Sequence, residues 1–216
     1  MNTGANGRRG ADGVAVVVFG DRRLPRPLRG LRVERADIDA AIGPYRRLVV
    51  VGGDADLAAV LTRLLRADRL DIEVGFAPPR RTRATRIYRL PAGHRAARRA
   101  LRGAARRATL VRDETGSVIV GRARWVPAGD ERLHGEAVVD DAVLFDGDVA
   151  AVSIEPTWAM PGLRARVSGA RRRWVAGRAA QLGSTGVAVV RDGVAAPRPA
   201  RRSTFYRNVE GWLLVR

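Results

Sequence analysis

Residues 46–65 read RRLVVVGGDADLAAVLTRLL. The run LVVV is short, β-branched and free of polar residues, the composition of a strand covered on both faces. Gly52 and Gly53 make a tight turn after it, and Asp54 opens a helix. In that helix Leu57, Val60, Leu61, Leu64 and Leu65 fall at i, i+3, i+4, i+7 and i+8, so one apolar stripe faces the sheet while Arg63, Arg66 and Asp68 point away. In an α/β protein, a buried strand handing over to a helix N-terminus is where backbone N–H groups converge on an anion.

Upstream, residues 13–19 (GVAVVVF) have the same buried composition and are expected to form the first strand of a parallel sheet. The following DRRLPRPLRG carries two prolines and reads as a loop, and residues 36–45 read as a short helix with Ile38, Ala41 and Ile42 on one face. Downstream, residues 71–77 (DIEVGFA) form a third strand, and the strand–helix–strand order over 46–77 predicts a right-handed parallel crossover. Pro78 and Pro79 end that strand. The segment HRAARRALRGAARRA reads as a helix with Ala97, Ala100, Leu101 and Ala104 along a narrow strip.

From Thr109 the texture changes. A hairpin is expected around Glu114, Thr115 and Gly116, followed by short strands at a spacing of about ten residues down to GWLLVR at the end. That spacing predicts an antiparallel sandwich or barrel. The expected class is therefore α/β: an N-terminal parallel-sheet, nucleotide-binding-like domain over 13–107 and a C-terminal antiparallel β-sandwich domain over 108–216, after a disordered tail at 1–12.

The 216 residues contain no cysteine and no lysine, and 40 arginines against 22 acidic residues leave a net charge of +18. Disulfides, zinc-thiolate sites, thiol nucleophiles, Schiff-base lysines and P-loop lysines are thereby excluded. A field this positive draws nucleic acid, anionic lipid head groups or phosphorylated ligands without choosing among them. No apolar run approaches the roughly 20 residues that span a bilayer, and no hydrophobic signal core opens the chain. A cytoplasmic location is expected, with peripheral attachment to a membrane if the arginines dock there.

Asp54 and Asp56 have two readings: caps for the first turn of the helix, or ligands for a divalent cation. The arginines at 80, 81, 83, 86, 89, 95, 98, 99, 102, 106 and 107 form either a solvated face or a head-group and phosphate surface. Nucleic acid is the less favoured partner, since no aromatic residues are interleaved with the belt and no DNA-binding motif accompanies it. His94 and His134 stand far apart, and Trp125, Trp158, Trp174 and Trp212 read as core or rim packing. Asp140, Asp141, Asp146 and Asp148 read as exposed turn residues, and no catalytic base is singled out. There is no G-x-S-x-G, so nothing points to an acyl-transfer hydrolase.

The order VVVGGD, helix, strand, proline-rich turn, then an all-β half with Asp192-Gly193 in VAGRAAQLGSTGVAVVRDGV, resembles the diacylglycerol kinase and bacterial lipid kinase family. The family's Gly-Gly-Asp-Gly-Thr turn is matched by Gly52, Gly53, Asp54, Ala55 and Asp56, identical at three of five positions. The resemblance covers most of the chain. It implies a two-domain fold, ATP at the turn of residues 52–56, a lipid acceptor in a cleft between domains, and transfer of the γ-phosphate to a lipid hydroxyl with Mg²⁺, for which Asp54 and Asp56 are the candidate ligands if they do not merely cap the helix. Two other motifs of the family, an Asn-Pro-x-x-Gly-like sequence after the first strand and a Gly-Thr-Gly-Asn-Asp-like one after the third, are replaced by GDRRLPRP and PPRRTRAT. Arg80 and Arg81 stand near where the second would lie and are the expected phosphate or head-group contacts.

If the fourth turn position needs positive φ, Ala55 costs roughly 1–2 kcal/mol there. A carboxylate at Asp56 about 4 Å from a phosphate oxygen repels it by roughly 4 kcal/mol at an effective dielectric near 20, unless a cation or an arginine intervenes. The expectation is a divergent lipid-kinase-like protein with phosphoryl transfer weakened or lost. Its alternative is a non-catalytic module of the same fold that docks on anionic lipid or an acidic partner.

Overall fold

The computed structural model describes residues 13–35, 37–129, 132–169 and 173–216, so the tail expected at 1–12 lies outside the described residues. The chain divides into two compact units. The first runs through Arg81 and adds Leu90–Arg107 and Trp212–Arg216, while the second takes Thr82–Arg89 and Ala108–Gly211.

The first unit is built on a six-stranded sheet. Its strands are β1 (Val14–Val18), β2 (Arg32–Arg35), β3 (Arg47–Val51), β4 (Glu73–Phe76), β5 (Ala105–Ala108) and the C-terminal strand Trp212–Val215. The order across the sheet is β2-β1-β3-β4-C-terminal strand-β5. The pairs β1–β2, β1–β3, β3–β4 and β4–C-terminal strand are all parallel. Every residue of β1 is buried, as are Leu48 to Val51 of β3, which is why both read as uninterrupted apolar runs.

Helix α2 (Asp54–Arg66) links β3 to β4 and buries Leu57, Ala58, Val60, Leu61 and Leu64, the stripe its spacing predicts. Helix α4 (Gly93–Arg102) packs with Val14, Val16, Val18, Val49 and Val51 through Ala96, Ala97 and Ala100. Only small residues fit this contact: a Cβ placed on Gly75 of β4 would lie 2.6 Å from the Cβ of Ala100. Arg47 closes the C-terminus of α4. Its guanidinium donates to Leu101 O at 2.6 Å, to Gly103 O at 3.0 Å and to Glu73 Oε2 at 2.6 Å, and its side chain is only 11% exposed.

Four local expectations are corrected. Strand β2 lies where the sequence shows no strand pattern, because an edge strand with the burial of RVER needs backbone pairing to β1 and no apolar alternation. The helix expected over 36–45 is the single turn α1 (Ile38–Ala41), with Asp37 accepting from the Ala40 N–H. Helix α4 ends at Arg102 with Gly103 as its C-cap, so Ala104 lies outside its strip. The C-terminal WLLV, read as a further strand of the β half, pairs with β4 in the parallel sheet.

The second unit is the antiparallel β-sandwich, with helix α3 (Arg83–Ile87) added to it. Its spine is the long strand Ala179–Arg191, which pairs with Ala200–Arg207 on one edge and with Leu133–Val139 and Ala123–Pro127 on the other. Inward residues of these strands, including Trp125, Val187 and Phe205, form one core with Ile154 of Val152–Pro156 and Leu163 of Leu163–Val167. The buried Trp125 indole donates to Ser203 Oγ at 3.0 Å. Carboxylates clip the turns. Asp113, fully buried, accepts from the N–H groups of Thr115 and Ser117 in the hairpin that turns at Gly116, and pairs with Arg191. Asp192 accepts from the N–H groups of Val120, Gly121 and Arg122 at 2.8–2.9 Å. No helix among the described residues is long and apolar enough to cross a membrane.

Candidate functional site

In the first unit β1 leads to β2 on one side of the sheet, whereas β3, on the other side of β1, leads to β4. The connections leaving β1 and β3 therefore diverge. In open parallel sheets that divergence leaves a crevice at the C-terminal ends of the two strands, where ligands bind. A cavity of about 240 Å³ stands there. Arg22, Arg23 and Pro25 line it from beyond β1, Val51 from the end of β3, Ala77, Pro78 and Pro79 from beyond β4, and Gly93 from the start of α4. The volume is below the roughly 300–1,000 Å³ of sites that enclose a drug-sized ligand, so it suits a small group or part of a larger ligand.

The Gly-Gly-Asp turn follows Val51 directly. Helix α2 begins at Asp54 with Gly53 as its N-cap, and Asp56 in its first turn bends back so that Oδ2 accepts from the Gly53 N–H at 2.7 Å. Arg22 Nη1 lies 3.5 Å from the same oxygen and donates to Phe19 O at 2.6 Å, which ties the end of β1 to the first turn of α2. This arrangement explains Gly52 without a ligand: a Cβ there would fall 2.5 Å from Asp56 Oδ2. Gly53 differs. A Cβ there would have its nearest neighbour, Asp56 Oδ2, at 3.8 Å, so the chain's own packing does not require glycine, and the turn itself does not line the cavity.

Ala55 lies inside the helix, not at a left-handed position, so the penalty considered for it does not arise. Asp56 carries a compensation that the sequence did not suggest. Its charge faces the Arg22 guanidinium and a backbone N–H, which weakens the repulsion a phosphate would meet.

Asp54 and Asp56 share the first turn of α2, yet one oxygen of Asp56 is already engaged, and no group of three or more His, Asp or Glu side chains that could hold a metal occurs among the described residues. A cation held wholly by protein ligands does not fit this turn as it stands. Arg80 and Arg81 are exposed and do not line the cavity, whose basic residues are Arg22 and Arg23. The rest of the belt is dispersed. Arg95, Arg98, Arg99 and Arg102 are the exposed face of α4, and Arg83 and Arg86 belong to α3 of the second unit. His134 pairs with Asp148 at 2.9 Å on an exposed strand pair, and Asp140 accepts from the N–H groups of Arg178 and Ala179, so these acidic residues have structural partners. Arg22 and Arg23 were legible in one respect: they are the basic pair immediately after a buried parallel strand, the end of the strand where ligands bind.

No family model matches the chain, and no curated protein sequence matches it. Solved structures do. A diacylglycerol kinase from Bacillus anthracis superposes with a TM-score of 0.70 at 11% identity, over 94% of this chain and 96% of that one. An NAD kinase from Archaeoglobus fulgidus, in complex with ATP, superposes with a TM-score of 0.64 at 13% identity, over 94% and 93%. Yeast NADH kinase complexed with NADH gives 0.57 at 10% identity, over 86% of this chain and 66% of that one. At these identities the likeness is one of fold. The chain has the diacylglycerol kinase and NAD kinase fold, a parallel-sheet α/β unit with a β-sandwich unit, and the resemblance carried by VVVGGD holds at that level.

Proposed function

We propose that this chain is a divergent member of the kinase-fold group that binds the phosphates of ATP in the crevice at the C-terminal ends of β1 and β3. The observation that carries this reading is an arginine-lined cavity placed where the sheet's connections diverge, at the end of β3 from which the Gly-Gly-Asp turn leaves. Arg22 and Arg23 supply charge-assisted donors to phosphate oxygens, a task for which the guanidinium fork is well shaped. The N-terminus of α2 adds its dipole. That a neighbour of the same fold is described in complex with ATP is in keeping with this assignment.

In this reading the acceptor, if transfer occurs, is a lipid hydroxyl, and Mg²⁺ arrives with the nucleotide instead of resting in a protein cage. A second reading, a non-catalytic nucleotide or anionic-lipid binding module, is favoured by the engagement of Asp56 with its own turn.

Thermal unfolding with and without Mg-ATP tests the common part. A site filled at a hundred times its dissociation constant stabilises by about 2.7 kcal/mol, or roughly 5–10 °C for a chain of this size. Absence of any shift at millimolar Mg-ATP refutes nucleotide binding. A shift without label transfer from γ-labelled ATP to diacylglycerol in mixed micelles selects the second reading.

A further inference from the structure

The second unit contains a cluster of charge that the crevice does not explain. Glu155, on the strand Val152–Pro156, is fully buried and accepts from three guanidiniums. Arg83 donates to Oε1 through Nε at 2.7 Å and again through Nη2, Arg122 donates to Oε1 at 3.1 Å, and Arg164 donates to Oε2 at 2.8 Å. Arg86 and Arg166 join Arg83, Arg164, Ile87, Trp174 and Glu155 in lining a cavity of about 240 Å³. Arg164 and Arg166 each stack on the Trp174 ring, with guanidinium carbons 4.4 and 4.6 Å from its centroid.

Five guanidiniums around one carboxylate leave a net four positive charges. Neither Arg86 nor Arg166 has a carboxylate partner among the described residues. Glu155 fixes the forks of Arg83, Arg122 and Arg164 while taking at most two of the five N–H groups on each, so the others stay available to solvent or to a ligand. Trp174 holds two of the planes in place from the side. A collection of oriented, undercompensated donors around a small cavity is matched by a compact multi-oxygen anion rather than by a single carboxylate, because each oxygen can accept from a different fork.

We propose that this cavity is a phosphomonoester-binding pocket, independent of the nucleotide reading for the first unit. The phosphate can belong to a soluble metabolite or to the head group of a lipid such as phosphatidic acid; the recognition chemistry is the same.

Calorimetric titration of the full chain with inorganic phosphate, in about 0.15 M salt so that diffuse attraction is screened, tests it. Binding is expected, with Arg86→Ala and Arg166→Ala each weakening it about tenfold or more, the loss of one hydrogen bond between charged groups. Both positions are at least partly exposed, and thermal unfolding of each variant verifies that the fold persists. Arg98→Ala, on the solvated face of α4, removes the same charge as a control, and Arg22→Ala addresses the crevice.

Absence of binding overturns the proposal. So does equal weakening by Arg98→Ala, which means an adventitious ion only, and so does weakening by Arg22→Ala in place of Arg86→Ala, which moves the phosphate to the crevice. Vesicles distinguish the sources. Sedimentation with phosphatidic acid vesicles, lost in the Arg86→Ala/Arg166→Ala double variant and absent with phosphatidylglycerol vesicles of equal charge, assigns a lipid head group. Phosphate binding without such sedimentation assigns a soluble phosphomonoester.

Discussion

Replacing Asp56 by asparagine separates the two roles open to that carboxylate. As placed, Oδ2 accepts from the Gly53 N–H at 2.7 Å and sits 3.5 Å from Arg22, with the side chain 24% exposed. Asparagine keeps an acceptor oxygen for Gly53. It loses the attraction to Arg22, which a partly exposed pair limits to about 0.2–1 kcal/mol, and the interaction with the positive end of α2, about 0.3–1 kcal/mol. Stability is expected to fall by about 0.5–2 kcal/mol, or roughly 2–6 °C in Tm.

The effect on ATP has the opposite sign. A full charge about 4 Å from a phosphate oxygen is worth roughly 4 kcal/mol at an effective dielectric near 20, and Arg22 offsets part of it, so removing the charge is expected to tighten Mg-ATP by about tenfold. Differential scanning fluorimetry over a nucleotide series reads both numbers from one variant: a lower Tm without ligand and a larger rise with Mg-ATP. If Asp56→Asn leaves the free protein's Tm unchanged and abolishes the Mg-ATP shift, the carboxylate serves a cation and the capping assignment is refuted.

Two structural predictions follow from the first unit. Arg47→Met removes the donors to Glu73, Leu101 O and Gly103 O and leaves Glu73 without its partner, so urea unfolding is expected to show a loss of about 3 kcal/mol; a loss under about 1 kcal/mol contradicts the role given to Arg47. Gly75→Ala places a methyl group 2.6 Å from the Cβ of Ala100 and is expected to cost about 1–3 kcal/mol by overpacking. Hydrogen exchange should then quicken in α4, and unchanged protection there would mean that α4 packs elsewhere.

The legible parts of this protein share a physical basis. LVVV and VAVVV announce strands buried on both faces because burial excludes polar residues along the whole run. The spacing from Leu57 to Leu64 announces α2 because one face of a 3.6-residue period must meet a sheet. The hairpin at Gly116 was legible from its turn residue. In contrast, β2 leaves almost no trace in its side chains, since pairing along β1 is carried by backbone groups that every residue possesses. WLLV is apolar enough for either sheet, and only pairing with β4, at the far end of the chain, assigns it.

The candidate site divides along the same line. By itself the sequence determined the Gly-Gly-Asp turn, its position between a buried strand and a helix, the excess of arginine and the class of fold, because these are set by local composition and period. Tertiary structure decided what the turn's charges do. It set Arg22 against Asp56, left Arg80 and Arg81 in solvent, and gathered Arg83, Arg122 and Arg164 around Glu155. With 40 arginines in the chain, no spacing rule can say which of them meets which carboxylate. Coulomb attraction selects a partner only after strand pairing and helix packing have brought two side chains within a few ångströms, and that distance is a property of the folded chain alone.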